Sequence, residues 1–76
     1  MDTMQRLKTL LEQVFEGEID PADATPEARL REDLGMNSIG MLYMAMAIEE
    51  EFGVTLTSDD LMKLHTVADV IDRVEA

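Results

Sequence analysis

No cysteine occurs in the chain, which excludes disulfides, cysteine-ligated metals and cysteine nucleophiles together. Histidine occurs once, at His65, and a lone histidine without cysteine cannot anchor a zinc site. Basic residues are scarce: six lysines and arginines face 17 aspartates and glutamates, for a net charge of −11. Such a chain repels nucleic-acid phosphate and anionic lipid and favours partners with basic patches, although the same balance also serves plain solubility. No apolar run approaches membrane-spanning length, and the opening Met-Asp-Thr-Met-Gln-Arg lacks the basic and apolar regions of a secretory signal, so the expected location is the cytoplasm, without membrane insertion. Seventy-six residues are expected to form a single domain over 1–76, with a marginal core, about four short elements and no enclosed multi-residue active site.

What is present is organised around Leu34 to Phe52: a glycine turn, a serine at a helix start, then an apolar helix with an acidic end. Asn37 suits an N-cap, because its side-chain oxygen can accept from a free backbone N–H of the first turn; Ser38 then becomes the first helical residue, with its hydroxyl facing solvent. The only other serine is Ser58, and no polar group near Ser38 in sequence could act as its base. Self-activated nucleophilic chemistry is therefore not expected, and the chain reads as a non-enzyme with no catalytic residues.

Along the chain, Met4, Leu7, Leu10, Leu11, Val14 and Phe15 recur at three- and four-residue spacing and predict an amphipathic helix over Thr3–Glu16. Asp2 with Gln5 resembles a capping box, Lys8 and Glu12 can pair across a turn, and Gly17 stops the helix. Glu18 to Met36, with Pro21, Pro26 and Gly35, reads as a long loop pinned by Ile19, Leu30 and Leu34, with one helical turn possible at Ala28–Glu32. Ser38 to Phe52 is the second helix. Met41, Met44, Ala45, Ile48 and Phe52 gather on a core side; Ile39, Leu42, Tyr43, Met46, Glu49 and Glu50 gather opposite, as an apolar stripe edged by carboxylates that is the candidate partner-binding surface. The alternative is a helix buried all round. Its three methionines suit either adaptable binding or ordinary core filling.

Gly53 ends that helix, and the apolar residues of Val54-Thr55-Leu56 turn inward. Thr57 caps a short third helix with Asp60 at its third position and Leu61, Met62 and Leu64 buried; Thr66-Val67-Ala68-Asp69 opens a fourth, to about Val74, with Val67, Val70, Ile71 and Val74 inward. Asp59 and Asp60 lack the ligand spacing of a calcium loop and read as helix-capping residues, so no metal site is expected. Glu49-Glu50-Glu51 sits where the helix dipole disfavours anions. The expected fold class is all-α, a four-helix bundle with a long first loop and no strand.

Asp33-Leu34-Gly35, Asn37-Ser38-Ile39 at a helix start, Ile48-Glu49-Glu50-Glu51-Phe52-Gly53-Val54 and Thr66-Val67-Ala68-Asp69-Val70, in that order and spacing, resemble the acyl carrier protein family over essentially the whole chain. The resemblance implies a four-helix bundle whose serine, Ser38 here, carries 4′-phosphopantetheine as a phosphodiester and an acyl or aminoacyl group as a thioester. It implies as partners a phosphopantetheinyl transferase and acyl-processing enzymes with basic and apolar docking patches, and a monomeric carrier that does no chemistry itself.

Two departures narrow that expectation. Asn37 stands where the family normally has aspartate before the serine, a carboxylate that helps the transferase and its magnesium engage the carrier. Gly40 and Tyr43 stand where fatty-acid-synthesis carriers usually show acidic residues, while Glu49 and Glu50 match the retained acidic pair. These point to a specialised carrier in lipid or secondary-metabolite synthesis. The alternatives are a housekeeping fatty-acid-synthesis carrier and a non-carrier interaction module of the same fold in which Ser38 is never modified.

Overall fold

The computed structural model describes residues 2–16 and 18–75, so Gly17, expected to stop the first helix, lies outside it. Helix α1 runs Thr3–Val14, α2 Ser38–Phe52, α3 Ser58–Lys63 and α4 Val67–Glu75, with a 3-10 turn at Pro21–Asp23 in the first loop. The all-α, four-helix expectation holds.

Each helix begins where a side chain can take up a free first-turn N–H. Asp2 accepts from Gln5 N at 2.7 Å, and Asn37 from Gly40 N at 2.8 Å. Thr57 and Asp60 form a reciprocal capping box. Thr66 and Asp69 do the same, Asp69 N donating to Thr66 Oγ1 at 3.2 Å while Thr66 N donates back to Asp69 Oδ2 at 3.1 Å. Helix α1 stops two residues earlier than its periodicity predicts. Phe15 N still reaches Leu11 O at 3.0 Å, but Glu16 turns the chain with φ 49°; Val14, the last residue of α1, and Phe15, its C-cap, pack half-buried against the core. Among the described residues the ion pair of α1 joins Arg6 to Glu51 at 3.2 Å rather than Lys8 to Glu12.

The core is built from Leu7, Leu10 and Leu11 of α1, Met41, Met44, Ala45 and Ile48 of α2, Leu61 and Leu64 of the α3 region, and Val67 and Val70 of α4. Phe52, Val54, Leu56, Ile71 and Val74 are half-buried against it. The long loop supplies more buried apolar side chains than any one helix: Ile19, Leu30 and Leu34, as expected, and also Ala24, Ala28 and Met36. Its chain reverses at 29–34, where Asp33 N and Leu34 N both donate to Arg29 O.

The loop is also sewn to the start of α4. Leu30 N donates to His65 O at 2.8 Å, and the first two N–H groups of α4, Val67 and Ala68, donate to Ala28 O and Pro26 O at 3.0 Å each. Arg29 and Thr66 thereby form an isolated antiparallel bridge. Helix donors that would otherwise face solvent are satisfied by loop carbonyls, which explains how so long a connection stays ordered in so small a domain.

Met62 corrects the expected core of α3: it is 73 % exposed, whereas Leu61 and Leu64 are buried. In a six-residue helix only positions three or four apart share a face, so Leu61 and Leu64 turn Met62 outward.

Candidate functional site

The approach to α2 is fixed from the loop side. Gly35 has φ 72°, a left-handed conformation glycine adopts without strain, and Met36 beyond it is buried, its N–H donating to Leu30 O at 3.0 Å. Asn37 then takes an extended conformation and caps Gly40, so that Ser38 enters as the first residue of α2 with an exposed side chain. Asp33 does not reach toward the serine. Its Oδ2 accepts from Arg29 N at 2.8 Å, and that bond, with the Arg29 guanidinium, holds its carboxyl below the usual aspartate range.

The outer side of α2 is as the helical spacing places it: Ile39 is 61 % exposed, Leu42 54 %, Tyr43 57 % and Met46 62 %, with Glu49 and Glu50 exposed beyond them. Helix α2 is therefore not buried all round. Four large apolar side chains in less than three turns form a continuous strip that a folded chain does not retain for its own packing.

The acidic run divides. Glu51 is committed to the fold: Arg6 donates to its carboxylate at 3.2 Å and to its backbone oxygen at 2.9 Å, while the guanidinium lies 4.4 Å from the centroid of the Phe52 ring. A cation at the last turn offsets the dipole penalty that the three glutamates incur. Glu49 and Glu50 are left at the edge of the apolar strip.

Gly40 is not on that strip. It is buried, at four residues' spacing from Met44 and eight from Ile48, and a Cβ built on it would lie 3.4 Å from both the Phe15 ring and Asn37 Oδ1 and 3.7 Å from Met36 Cβ. The exposed departure from an acidic surface therefore rests on Tyr43. The four-residue step from Met44 was the signal available in the sequence. On either side of Gly40 lie open grooves, of about 290 Å³ against Leu34 and Met36 and about 340 Å³ against Val14, Ile39 and Tyr43; Phe15, Glu18 and Asn37 border both.

Asp59, Asp60 and His65 take no part in this region. Asp60 accepts from Thr57 N at 2.9 Å and lies 3.6 Å from Arg73, and its carboxyl is held below the usual range chiefly by the Thr57 N–H. His65 contributes backbone only, its N–H donating to Asp69 Oδ2 at 2.9 Å. No buried side-chain polar group lacks a partner among the described residues, and no helix there is long and apolar enough to cross a membrane.

An exposed primary hydroxyl at the first residue of a 15-residue helix fits attachment of a phosphodiester, because the helix N-terminus favours an anion. The phosphopantetheine attachment-site family matches residues 5–74 of the chain. The acyl carrier protein of Helicobacter hepaticus is 33 % identical over 76 residues, covering 100 % of this chain and 97 % of its own. That of Thermosynechococcus vestitus is 44 % identical over 54 residues, 71 % of this chain and 67 % of its own. The chain thus belongs to the acyl carrier protein family, whose members are not enzymes but carriers of covalently attached 4′-phosphopantetheine.

Proposed function

We propose that Ser38 is the residue that carries the phosphopantetheine, and that an acyl or aminoacyl group held on it as a thioester is presented to partner enzymes in specialised lipid or secondary-metabolite synthesis. The observation that carries this reading is the exposed Ser38 hydroxyl at the head of an exposed apolar strip. The prosthetic group supplies a thiol on a long arm, and everything else asked of this chain is positional. Asn37 fixes the turn that presents the hydroxyl, through its 2.8 Å bond from Gly40 N. The transferase must bring the base that takes the hydroxyl proton, since nothing beside Ser38 in sequence serves as one.

Ile39, Leu42, Tyr43 and Met46 form the apolar part of the partner surface, and Glu49 and Glu50 pair with basic residues at its edge. A rim of that kind steers encounter while the apolar strip supplies affinity. Specialisation is supported by Asn37, which keeps the cap and drops a charge, and by Tyr43, which puts an aromatic ring on the docking face.

The test is the intact mass of protein purified from its native host under conditions that express the pathway, with Ser38→Ala as control. The expected result is a phosphopantetheine adduct on the wild-type chain and none on the variant. Uniformly unmodified wild-type protein would overturn the assignment.

A further inference from the structure

The two grooves beside Gly40 share Phe15, Glu18 and Asn37, so together they make one notch under the first turn of α2, within two residues of Ser38. We propose that this notch receives one apolar side chain of the phosphopantetheinyl transferase, with a lysine or arginine of that enzyme paired to Glu18; the proposal rests on the carrier reading above.

The first argument is the glycine. Glycine is less favourable than alanine within a helix, and Gly40 is the third residue of α2, so its presence asks for a reason. Backbone conformation supplies none, because among the described residues the left-handed glycines are Gly35 and Gly53 and not Gly40. Packing supplies none either: a methyl group there would make contacts of 3.4–3.7 Å, the ordinary van der Waals range. Gly40 instead lines both grooves together with Phe15.

The second argument is continuity. Ile39 and Tyr43 belong both to the exposed strip and to the wall of the groove, so a partner lying on the strip already stands at the notch. The third is charge. Glu16 and Glu18 line the rim on the α1 side and are exposed, on a chain of net charge −11, which opposes a second copy as occupant and suits a basic one. An enzyme anchored here has its catalytic groups within reach of the Ser38 hydroxyl, and that selects the transferase among the partners.

The experiment is steady-state modification by a broad-specificity phosphopantetheinyl transferase with coenzyme A, read by mass, beside the melting temperature of each carrier variant. Gly40→Leu fills the notch and is expected to raise the KM for the carrier about tenfold, the loss of one anchoring contact, with kcat retained. Gly40→Ala is expected to raise KM less and to melt at or above wild type. Glu18→Gln is expected to raise KM and flatten its dependence on salt. Should Gly40→Leu melt below wild type, Gly40→Ala decides: a raised KM at an undiminished melting temperature supports the notch, and an unchanged KM overturns it. Failure of the carrier reading is distinguishable, because it appears as absence of modification on the wild-type chain before any variant is compared, and it removes the occupant too.

Discussion

Helix α2 uses the same residue types on two sides for opposite ends. Met44 and Ile48 are 0 % exposed, whereas Met46 and Ile39 are 62 % and 61 % exposed. Side-chain chemistry does not distinguish them; angular position does. The inner pair removes apolar area from water on folding and so contributes to stability, while the outer pair leaves comparable area in water, where it contributes nothing until another surface covers it. A domain of 76 residues has little stability to spare, and the uncovered strip is the area proposed above for binding.

The largest expected effect tests the inner side. Met44→Ala or Ile48→Ala leaves a cavity in a fully enclosed site and is expected to cost about 2–5 kcal/mol of folding stability, a large share of the total. Leu42→Ala and Tyr43→Ala are expected to melt within about 0.5 kcal/mol of wild type, as surface substitutions do. Urea denaturation of the four variants reads the order directly. Were the outer variants the destabilised ones, the strip would be part of the fold and the contrast between the two sides would collapse.

The next effect is on binding. Covering an apolar side chain at an interface is worth roughly 1.5–3 kcal/mol, and aromatic anchors are over-represented among the residues that matter most. Leu42→Ala and Tyr43→Ala are therefore expected to weaken the complex with the transferase about tenfold or more by titration calorimetry, at unchanged melting temperature. Glu49→Gln and Glu50→Gln should do less, and mainly at low salt, because exposed charge pairs are screened. Unaltered affinity in both apolar variants would move the docking surface off this side of α2.

The two sides of α2 were legible in the sequence because a 15-residue helix with a strong cap and a C-terminal glycine leaves its phase unambiguous. Gly53, with φ 69°, ends the helix where its residue type says it should. Met62 was not legible: six residues give too little periodicity to separate the buried Leu61 from its exposed neighbour. Nor was the stitching of the first loop to α4, since Leu30 N to His65 O and Val67 N to Ala28 O are backbone bonds between segments far apart in sequence, and backbone bonds leave no side-chain pattern. Ser38 was legible as an exposed helix-start hydroxyl. The notch beside it was not, because it depends on how α1 ends at Phe15 and Glu16, where the chain turns against its own periodicity.

A smaller and pH-dependent effect separates the scaffold from both sides of α2. Asp33, Asp60 and Asp69 have carboxyls held below the ordinary aspartate value, in each case first by a backbone N–H donated to the carboxylate, from Arg29, Thr57 and His65 respectively. A depressed folded-state pKa means that the unfolded chain binds more protons in the window between the two values. The stabilisation is therefore complete above the unfolded value near ~3.9 and is lost as pH falls through the lower folded values. Protonating the other carboxylates relieves repulsion and acts the opposite way, so the readout is a difference between variants. Asp69→Asn, which keeps an acceptor for the His65 and Thr66 N–H groups, is expected to lose less stability between pH 5 and about pH 3 than wild type does. Parallel acid profiles would mean that the cap's charge carries no part of the acid response.

The smallest expected effect lies where the two sides of α2 meet, at its first turn. Asn37→Asp preserves the oxygen that accepts from Gly40 N at 2.8 Å, so the cap and the presentation of Ser38 should be unchanged. The added negative charge sits at the positive end of the α2 dipole, which is worth a few tenths of a kcal/mol up to about 1 at low salt. Stability should rise by that amount and the gain should shrink as salt is added. The same substitution restores the carboxylate that Asn37 lacks, and a transferase that reads this charge should modify Ser38 faster. The two consequences are separable by their controls. Asn37→Ser keeps a capping oxygen without the charge and should leave both quantities near wild type, whereas Asn37→Ala removes the cap and should cost about 1 kcal/mol. Faster modification by Asn37→Asp alone would assign the effect to charge. Equal rates for Asn37→Asp and Asn37→Ser would instead show that the transferase is guided by the turn and the apolar strip, with no contribution from a carboxylate beside the serine.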